Sequence, residues 1–471
     1  MSATFLKQVQ PNIIVILADD MGWNDISAHG SNQIPTPNID AIGFNGIIFK
    51  RHYTMHLCTP SRSALLTGIH PIKAGMQGYP INAGEARALP TYMSTLAERL
   101  LALGYNTHMV GKWHLGHENR SVTPTGRGFQ SHLGYWNGFV GYFDYEIAAP
   151  NNMKGLDLHR DYHSAYDLVG KYATDVFTDA SVELIKSHTK KNPLFLMINH
   201  LAAHTGKDGT ELGVPNVQDA MEKYNYIEEP QRRLYAGGNV NELGSIDGEN
   251  HWPRLAHGLR AHKRRRDVLV NIDEKLNYEA IISADGRFKL ATGTNENGEL
   301  DGYFGDNGRS GQEPEYNISA VLTSDSNQAI LQSKGILTPK LTATRIFQLR
   351  SEMEINHSGP RENVSCLSGH YCLFDLYKDP TETTNISTKL PGVVAQLTVS
   401  INTFRKEMVP QRNVLPDPAS DPKNCNDDEE FNCAFVQAVE KYPFLYDNTL
   451  KEYSNRNEQD KAWNKVAKIG N

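Results

Sequence analysis

The feature that most constrains this chain lies near its start. Asn12–Leu17 is a continuous Ile/Val/Leu run closed by Asp19 and Asp20. An unbroken apolar run of strand length predicts a fully buried parallel strand, and acids at its carboxyl end mark the place where open α/β sheets bind ligands. Related units follow. Met93, Leu96, Ala97, Leu100 and Leu103 recur at helical spacing before Gly104, so an amphipathic helix with a glycine cap is expected over Thr91–Leu103, and then a strand through Thr107–Val110. Ala173–Ser187 is helical in pattern, and the apolar Leu194–Asn199 follows Pro193 as the next strand. This alternation predicts an α/β fold, a doubly wound and mostly parallel sheet with helices on both faces. Farther on, short β-like runs at Glu279–Ser283 and Arg287–Ala291 lie between Gly/Asn-rich turns, and Val393–Phe404 is helical in pattern. The expected division is a larger domain over 1–237 and a smaller α+β domain over 238–471.

The 471 residues can bury two cores, which excludes a binding peptide or mini-scaffold. With 39% hydrophobic and 21% charged residues the chain is neither disordered nor fibrous, and no apolar run is long enough for a membrane span. A net charge of −7 supplies no basic field, so no nucleic-acid partner is expected. Cys366, Cys372, Cys425 and Cys433 cluster late and leave Cys58 as the odd cysteine. Two disulfides would fit an oxidising compartment; unpaired thiols would fit the cytosol. Sequons begin at Asn119, Asn317, Asn356, Asn363 and Asn385 and lean towards secretion, although Met1–Gln10 shows no signal-peptide core. His262–Arg266 reads as a solvated basic loop.

Three stretches carry the chemistry. Cys58-Thr59-Pro60-Ser61-Arg62 leads into Leu66-Thr67-Gly68, and Pro60 suits a first helical turn, which places residue 58 at a helix N-terminus that favours an anion. Lys112 and His114, bracketed by Gly111 and Gly116, lie just past a strand and two residues apart, so extended geometry can aim both at one site. Asp19 and Asp20 can share a metal only where the strand ends and the backbone turns, and an all-oxygen pair suits Ca²⁺ or Mg²⁺ better than zinc.

These stretches resemble the signatures of the type I sulfatases of the alkaline-phosphatase superfamily, most closely their arylsulfatase B (N-acetylgalactosamine-4-sulfatase) branch. The resemblance implies that Cys58 is oxidised to formylglycine by the formylglycine-generating enzyme. It implies Asp19, Asp20 and residue 58 as Ca²⁺ ligands, Arg62 and Lys112 as oxyanion stabilisers, and His114 as a partner of the hydrated aldehyde. His204, in Leu201-Ala202-Ala203-His204, is implied as proton donor to the leaving group, while His200 reads as structural. The substrate implied is a sulfated glycan or aryl sulfate, and the compartment lysosomal or extracellular.

The resemblance continues to Cys372-Leu-Phe-Asp but breaks once. After Arg233–Gly237, family members continue into a helix, an apolar strand ending Asp-Asn-Gly and a substrate lysine, whereas this chain passes directly to Gly238–Gly248, a stretch found well downstream in the family. Asp306-Asn307-Gly308 follows a turn-rich stretch and is expected to be a turn. The gap favours a second reading, a catalytically impaired splice form or pseudoenzyme that keeps the fold as a glycan- or partner-binding protein.

Overall fold

The computed structural model describes residues 10–149, 153–189, 191–207, 213–227, 233, 266–294, 313–333, 340–355, 364, 366 and 369–417. The first part runs β1 (Ile13–Leu17), α1 (Pro37–Asn45), α2 (Cys58–Thr67), α3 (Leu96–Ala102), β2 (Asn106–Gly111) and β3 (Ser131–Gly134). A hairpin of β4 (Glu146–Ala149) and β5 (Met153–Leu156) precedes the two-residue strands β6 (His159–Arg160) and β7 (His163–Ser164), then α4 (Ala173–Ser187), β8 (Leu194–Asn199) and α5 (Val217–Lys223). The later part comprises β9 (Val268–Asp273), β10 (Tyr278–Ile282), β11 (Phe288–Thr292), α6 (Ile318–Thr323), α7 (Asp325–Gln332), α8 (Ala343–Met353), β12 (Cys372–Asp375) and α9 (Pro391–Arg405).

The main sheet has the order β1-β8-β2-β3-β6-β7, parallel through its first four strands and antiparallel at β6 and β7. Strand alternation sends Leu194, Leu196 and Ile198 of β8 into one core with Val176 and Phe177 of α4, and Phe195 and Met197 into another with Ala97 and Leu100 of α3. Helices therefore cover both faces, as the sequence pattern requires.

Two expectations are corrected. The helix starts at Leu96, not Thr91, because Thr95 and Glu98 form a capping box: Thr95 Oγ1 accepts from Glu98 N at 3.1 Å and Glu98 Oε2 from Thr95 N at 2.7 Å. β1 is not fully buried either. It stands at the end of the sheet order, and Ile14 is 44% exposed while every residue of β8 is buried.

The second sheet is antiparallel, ordered β12-β11-β10-β9, and packs Leu269, Ile281, Leu290 and Leu373 on Leu397 and Ile401 of α9. A disulfide joins Cys366 to Cys372 at the start of β12. Helices α6 to α8 pack on α1, with Val321 and Ile346 against Ile39, Ala41 and Phe44. The junction Gly237–Gly238, Asp306-Asn307-Gly308, His262–Arg265, Cys425 and Cys433 lie outside the described residues. No helix among the described residues is long and apolar enough to cross a membrane.

Candidate active site

Three neighbouring parallel strands, β1, β8 and β2, deliver side chains from their carboxyl ends to one point: Asp19 follows β1, Lys112 follows β2 and the His204 loop follows β8. The backbone is shaped for this. Gly111 has φ 93°, and a Cβ there would come within 1.9 Å of the Asn199 carbonyl oxygen, so only glycine lets β2 turn against β8. Asp20 and His114 adopt left-handed backbone at φ 56° and 58°, where β1 and β2 hand over to the site.

Cys58 opens α2, with Leu57 in extended conformation before it, so the thiol stands at the free N–H end of the helix. Lys112 Nζ lies 3.2 Å from Cys58 Sγ and 2.5 Å from Asp19 Oδ2, and Arg62 Nη2 donates to Asp19 Oδ1 at 3.1 Å. Lys112, Arg62 and Asp19 are all buried, a depth at which charges persist only when paired. Burial alone would raise the Asp19 carboxyl, but Lys112, Arg62 and His204 overcome it and bring the pKa down to about 2. Burial likewise opposes the Cys58 thiolate, yet Lys112 and a hydrogen bond with His204 leave the thiol below its ordinary value. For His204 burial disfavours the charge, but the Cys58 hydrogen bond, the Asp19 carboxylate and the Thr205 carbonyl together outweigh it and raise the pKa.

His204 Nδ1 donates to the Thr205 carbonyl at 2.7 Å, which leaves Nε2 3.6 Å from Asp20 Oδ2. Its ring stacks on Phe139 at 5.6 Å, and its own carbonyl accepts from Tyr142 Oη at 2.7 Å. His114 is turned away from the thiol. Its Nε2 donates to the Ile81 carbonyl at 2.8 Å, so buried Nδ1 is the unprotonated nitrogen, without a hydrogen-bond partner among the described residues. Burial and Lys112 hold its pKa well below the usual imidazole range, so the ring is neutral. Cys58, Arg62, Lys112, Asp19 and His204 are thus brought together; Asp20 borders them at the surface, and His114 joins through its backbone carbonyl, which accepts from Thr59 Oγ1 at 3.0 Å.

Sequence reasoning missed Asn199, the buried polar end of the apolar β8, whose Nδ2 donates to the Lys112 carbonyl at 2.8 Å. A polar residue closing an apolar strand was the available signal. Thr59 and Tyr142 were also missed, and nothing local distinguishes them. His200 is half-buried, with its pKa lowered to about 4 by desolvation.

A cavity of about 230 Å³ opens beside the cluster, lined by Asp19, Asp20, His52, His56, Cys58 and Arg62 among others. The donors described here fall short of a calcium shell. Both oxygens of Asp19 are engaged by Arg62 and Lys112, the Asp20 side chain is 62% exposed, and the nearest further donors are a His204 nitrogen and the sulfur of unconverted Cys58, which conversion would replace by a single residue's oxygens.

Residues 11–242 match the family model described as sulfatase. Arylsulfatase J of Mus musculus is 28% identical over 88% of this chain and 79% of its own length. N-acetylgalactosamine-6-sulfatase of Homo sapiens is 33% identical over 40% of this chain, which spans only 38% of that relative. The crystal structure of Ps i-CgsB superposes with a TM-score of 0.59 at 18% identity, covering 86% of this chain and 94% of its own, and shows the shared fold. The match extends across sulfatases and does not single out the arylsulfatase B branch. A second model, alcohol dehydrogenase transcription factor Myb/SANT-like, matches residues 435–471, outside the described residues, so the expected absence of a nucleic-acid partner is not supported.

Proposed function

Because this chain belongs to the type I sulfatase family through residues 11–242, we propose that it hydrolyses sulfate esters at the Cys58 site, with residue 58 converted to formylglycine. The observation that carries the reading is the contact of Cys58, at the N-terminus of α2, with Lys112 at 3.2 Å, beside buried Arg62 and within hydrogen-bond reach of His204. A formylglycine supplies, as its hydrate, an oxygen nucleophile for sulfur and a way to expel sulfate by re-forming the aldehyde.

The protein's own groups do the rest. Lys112 and Arg62 set two fixed positive charges where the sulfuryl oxygens gain charge, in a buried setting that strengthens them. His204 holds the proton for the departing alcohol at Nε2, because Nδ1–H is tied to Thr205. His114 keeps a neutral ring whose Nδ1 can accept a hydrogen bond. No step is assigned to the metal that sulfatases typically use. Calcium at Asp19 and Asp20 would have to displace Lys112 and Arg62 from Asp19 and find oxygens beyond those described.

The substrate we propose is a sulfated glycosaminoglycan sugar of the kind arylsulfatase B takes. A cavity floored by the cluster and walled by His52 and His56 supports a sugar-sized leaving group. Passage through an oxidising, lysosomal or secretory route is supported by the Cys366–Cys372 disulfide and by exposed sequon asparagines at Asn119, Asn317 and Asn385. The domain division at 237/238 is retained as part of this proposal.

The second reading, an impaired enzyme that keeps the fold, is favoured by the incomplete oxygen set around Asp19. One experiment separates the two. The chain and a version with the family segment restored after Gly237 are co-produced with the formylglycine-generating enzyme, the Cys58 peptide is weighed by mass spectrometry, and a chromogenic sulfate ester is assayed. Conversion of Cys58 with turnover abolished by Cys58→Ala supports the first reading. Conversion with turnover only in the restored chain supports the second, and turnover surviving Cys58→Ala refutes the site.

A further inference from the structure

One wall of the active-site cavity is held by the second sheet. The segment from His52 to Leu57 lines the cavity and leads into Cys58 at the start of α2. Two contacts with the later part of the chain clamp it. Arg51 lies over the Tyr377 ring, 4.2 Å from its centroid, and donates to the Gly286 carbonyl at 3.4 Å. His56 Nε2 lies 2.6 Å from the hydroxyl oxygen of Tyr278, the first residue of β10, and the two rings meet edge to face at 5.2 Å.

Tyr278 is itself fixed. Asn271 of β9 donates to its hydroxyl at 3.5 Å, and burial with the nearby Asp273 carboxylate raises its pKa, so the hydroxyl keeps its proton. Asp273 is locked in turn, its Oδ1 accepting from Lys275 N and Leu276 N at 2.9 Å and from Gln411 Nε2 at 2.7 Å. The contact with Tyr278 engages one ring nitrogen of His56. It leaves Nδ1 without a partner among the described residues, on an exposed side chain two positions before Cys58. A partner at one imidazole nitrogen fixes both the ring and what the other nitrogen can offer.

We propose that His56, positioned by Tyr278, is a specificity-determining residue that hydrogen-bonds a hydroxyl of the leaving-group sugar through Nδ1. Resting on the sulfatase reading of the Cys58 site, this assignment divides the work of recognition. Lys112 and Arg62 meet the sulfate, which every sulfate ester shares, and His56 reads the alcohol it is attached to. A sugar hydroxyl both donates and accepts, so it fits either tautomer of the ring. Phenyl sulfate has no hydroxyl to offer and gains no such bond.

The test is calorimetric binding of N-acetylgalactosamine 4-sulfate, phenyl sulfate and inorganic sulfate to the whole chain, produced without the formylglycine-generating enzyme so that unconverted Cys58 leaves both esters intact. The readout is the affinity for each ester divided by that for inorganic sulfate. Tyr278→Phe keeps the ring contact and removes only the hydroxyl, and His56→Phe keeps a ring in the wall and removes both nitrogens. Each should lower the sugar ratio roughly threefold to tenfold, the loss expected for one hydrogen bond, and leave the phenyl ratio where it was. In the double variant Tyr278→Phe should add little to His56→Phe, because it acts only through the imidazole. A sugar ratio unmoved by both single variants, an equal fall for phenyl sulfate, or fully additive losses overturns the proposal and leaves sulfate recognition standing. Binding of none of the three ligands overturns the reading of the site, and the proposal with it.

Discussion

Replacing Asp19 by Asn tests the electrostatics of the site apart from its chemistry. The substitution keeps the shape and removes the charge that both buried cations share. A carboxyl held at about 2 instead of 3.8 reports about 2.5 kcal/mol of preference for the ionised, paired state. Stranding Lys112 and Arg62 without a counter-charge brings the cost to about 3–5 kcal/mol, as for other buried pairs broken from one side. The dependence on pH follows from the direction of the shift. A depressed folded pKa contributes stability that is present above 3.8 and is lost as pH falls towards about 2, so the gap between wild type and variant closes across that acid window. The assay is urea unfolding of both chains from pH 7 downward, with Asp19→Asn/Lys112→Met closing a double-mutant cycle. Removing the ammonium together with the carboxylate should recover more than half of the loss. A single-variant cost under about 1 kcal/mol at pH 7, or a cycle with no coupling, would refute the view that Asp19 is the counter-ion of this cluster.

Gly111→Ala should cost at least about 2 kcal/mol in the same unfolding assay, since its Cβ meets the Asn199 carbonyl at 1.9 Å in a backbone conformation that disfavours side chains; a neutral result means that β2 and β8 separate easily. In a turning-over form, His204→Ala should lower kcat for a sugar sulfate by roughly 10²–10⁴, and for nitrophenyl sulfate much less because that leaving group needs little protonation. Equal losses on the two substrates would remove His204 as the acid. Calcium at millimolar concentration should stabilise this chain by less than about 1 kcal/mol in thermal unfolding, and EDTA should leave it unchanged. A gain of about 3 kcal/mol or more would mean that the oxygen shell is completed by residues other than those described here.

Most of the fold was legible because it rests on local periodicity. Ala173–Ser187 and Leu194–Asn199 are the observed α4 and β8 to the residue, since an amphipathic stripe and an apolar run between breakers leave few alternatives. The helix start at Leu96 went astray because Met93 continues the apolar stripe, while the Thr95–Glu98 capping box, visible in the sequence, decides the boundary. Residue 58, Lys112 and His114 could be placed from short stretches, because a helix N-terminus and a strand end are local features, whereas Arg62 and His204 were named through the family resemblance.

What the chain order could not express is who neutralises whom. Asp19 lies 43 residues from Arg62 and 93 from Lys112, and only the parallel neighbourhood of β1, β8 and β2 brings the two cations to both of its oxygens, where they compete with any metal. The orientation of His114 towards Ile81, and the support of Lys112 by Asn199, depend likewise on long-range packing. The sequence of β1 determines a strand, its apolar character and the acids at its end. Its position at an open edge is a property of the sheet, because strand order is set by which faces and hydrogen-bonding groups find partners across the whole chain, and no window of neighbouring residues contains that information.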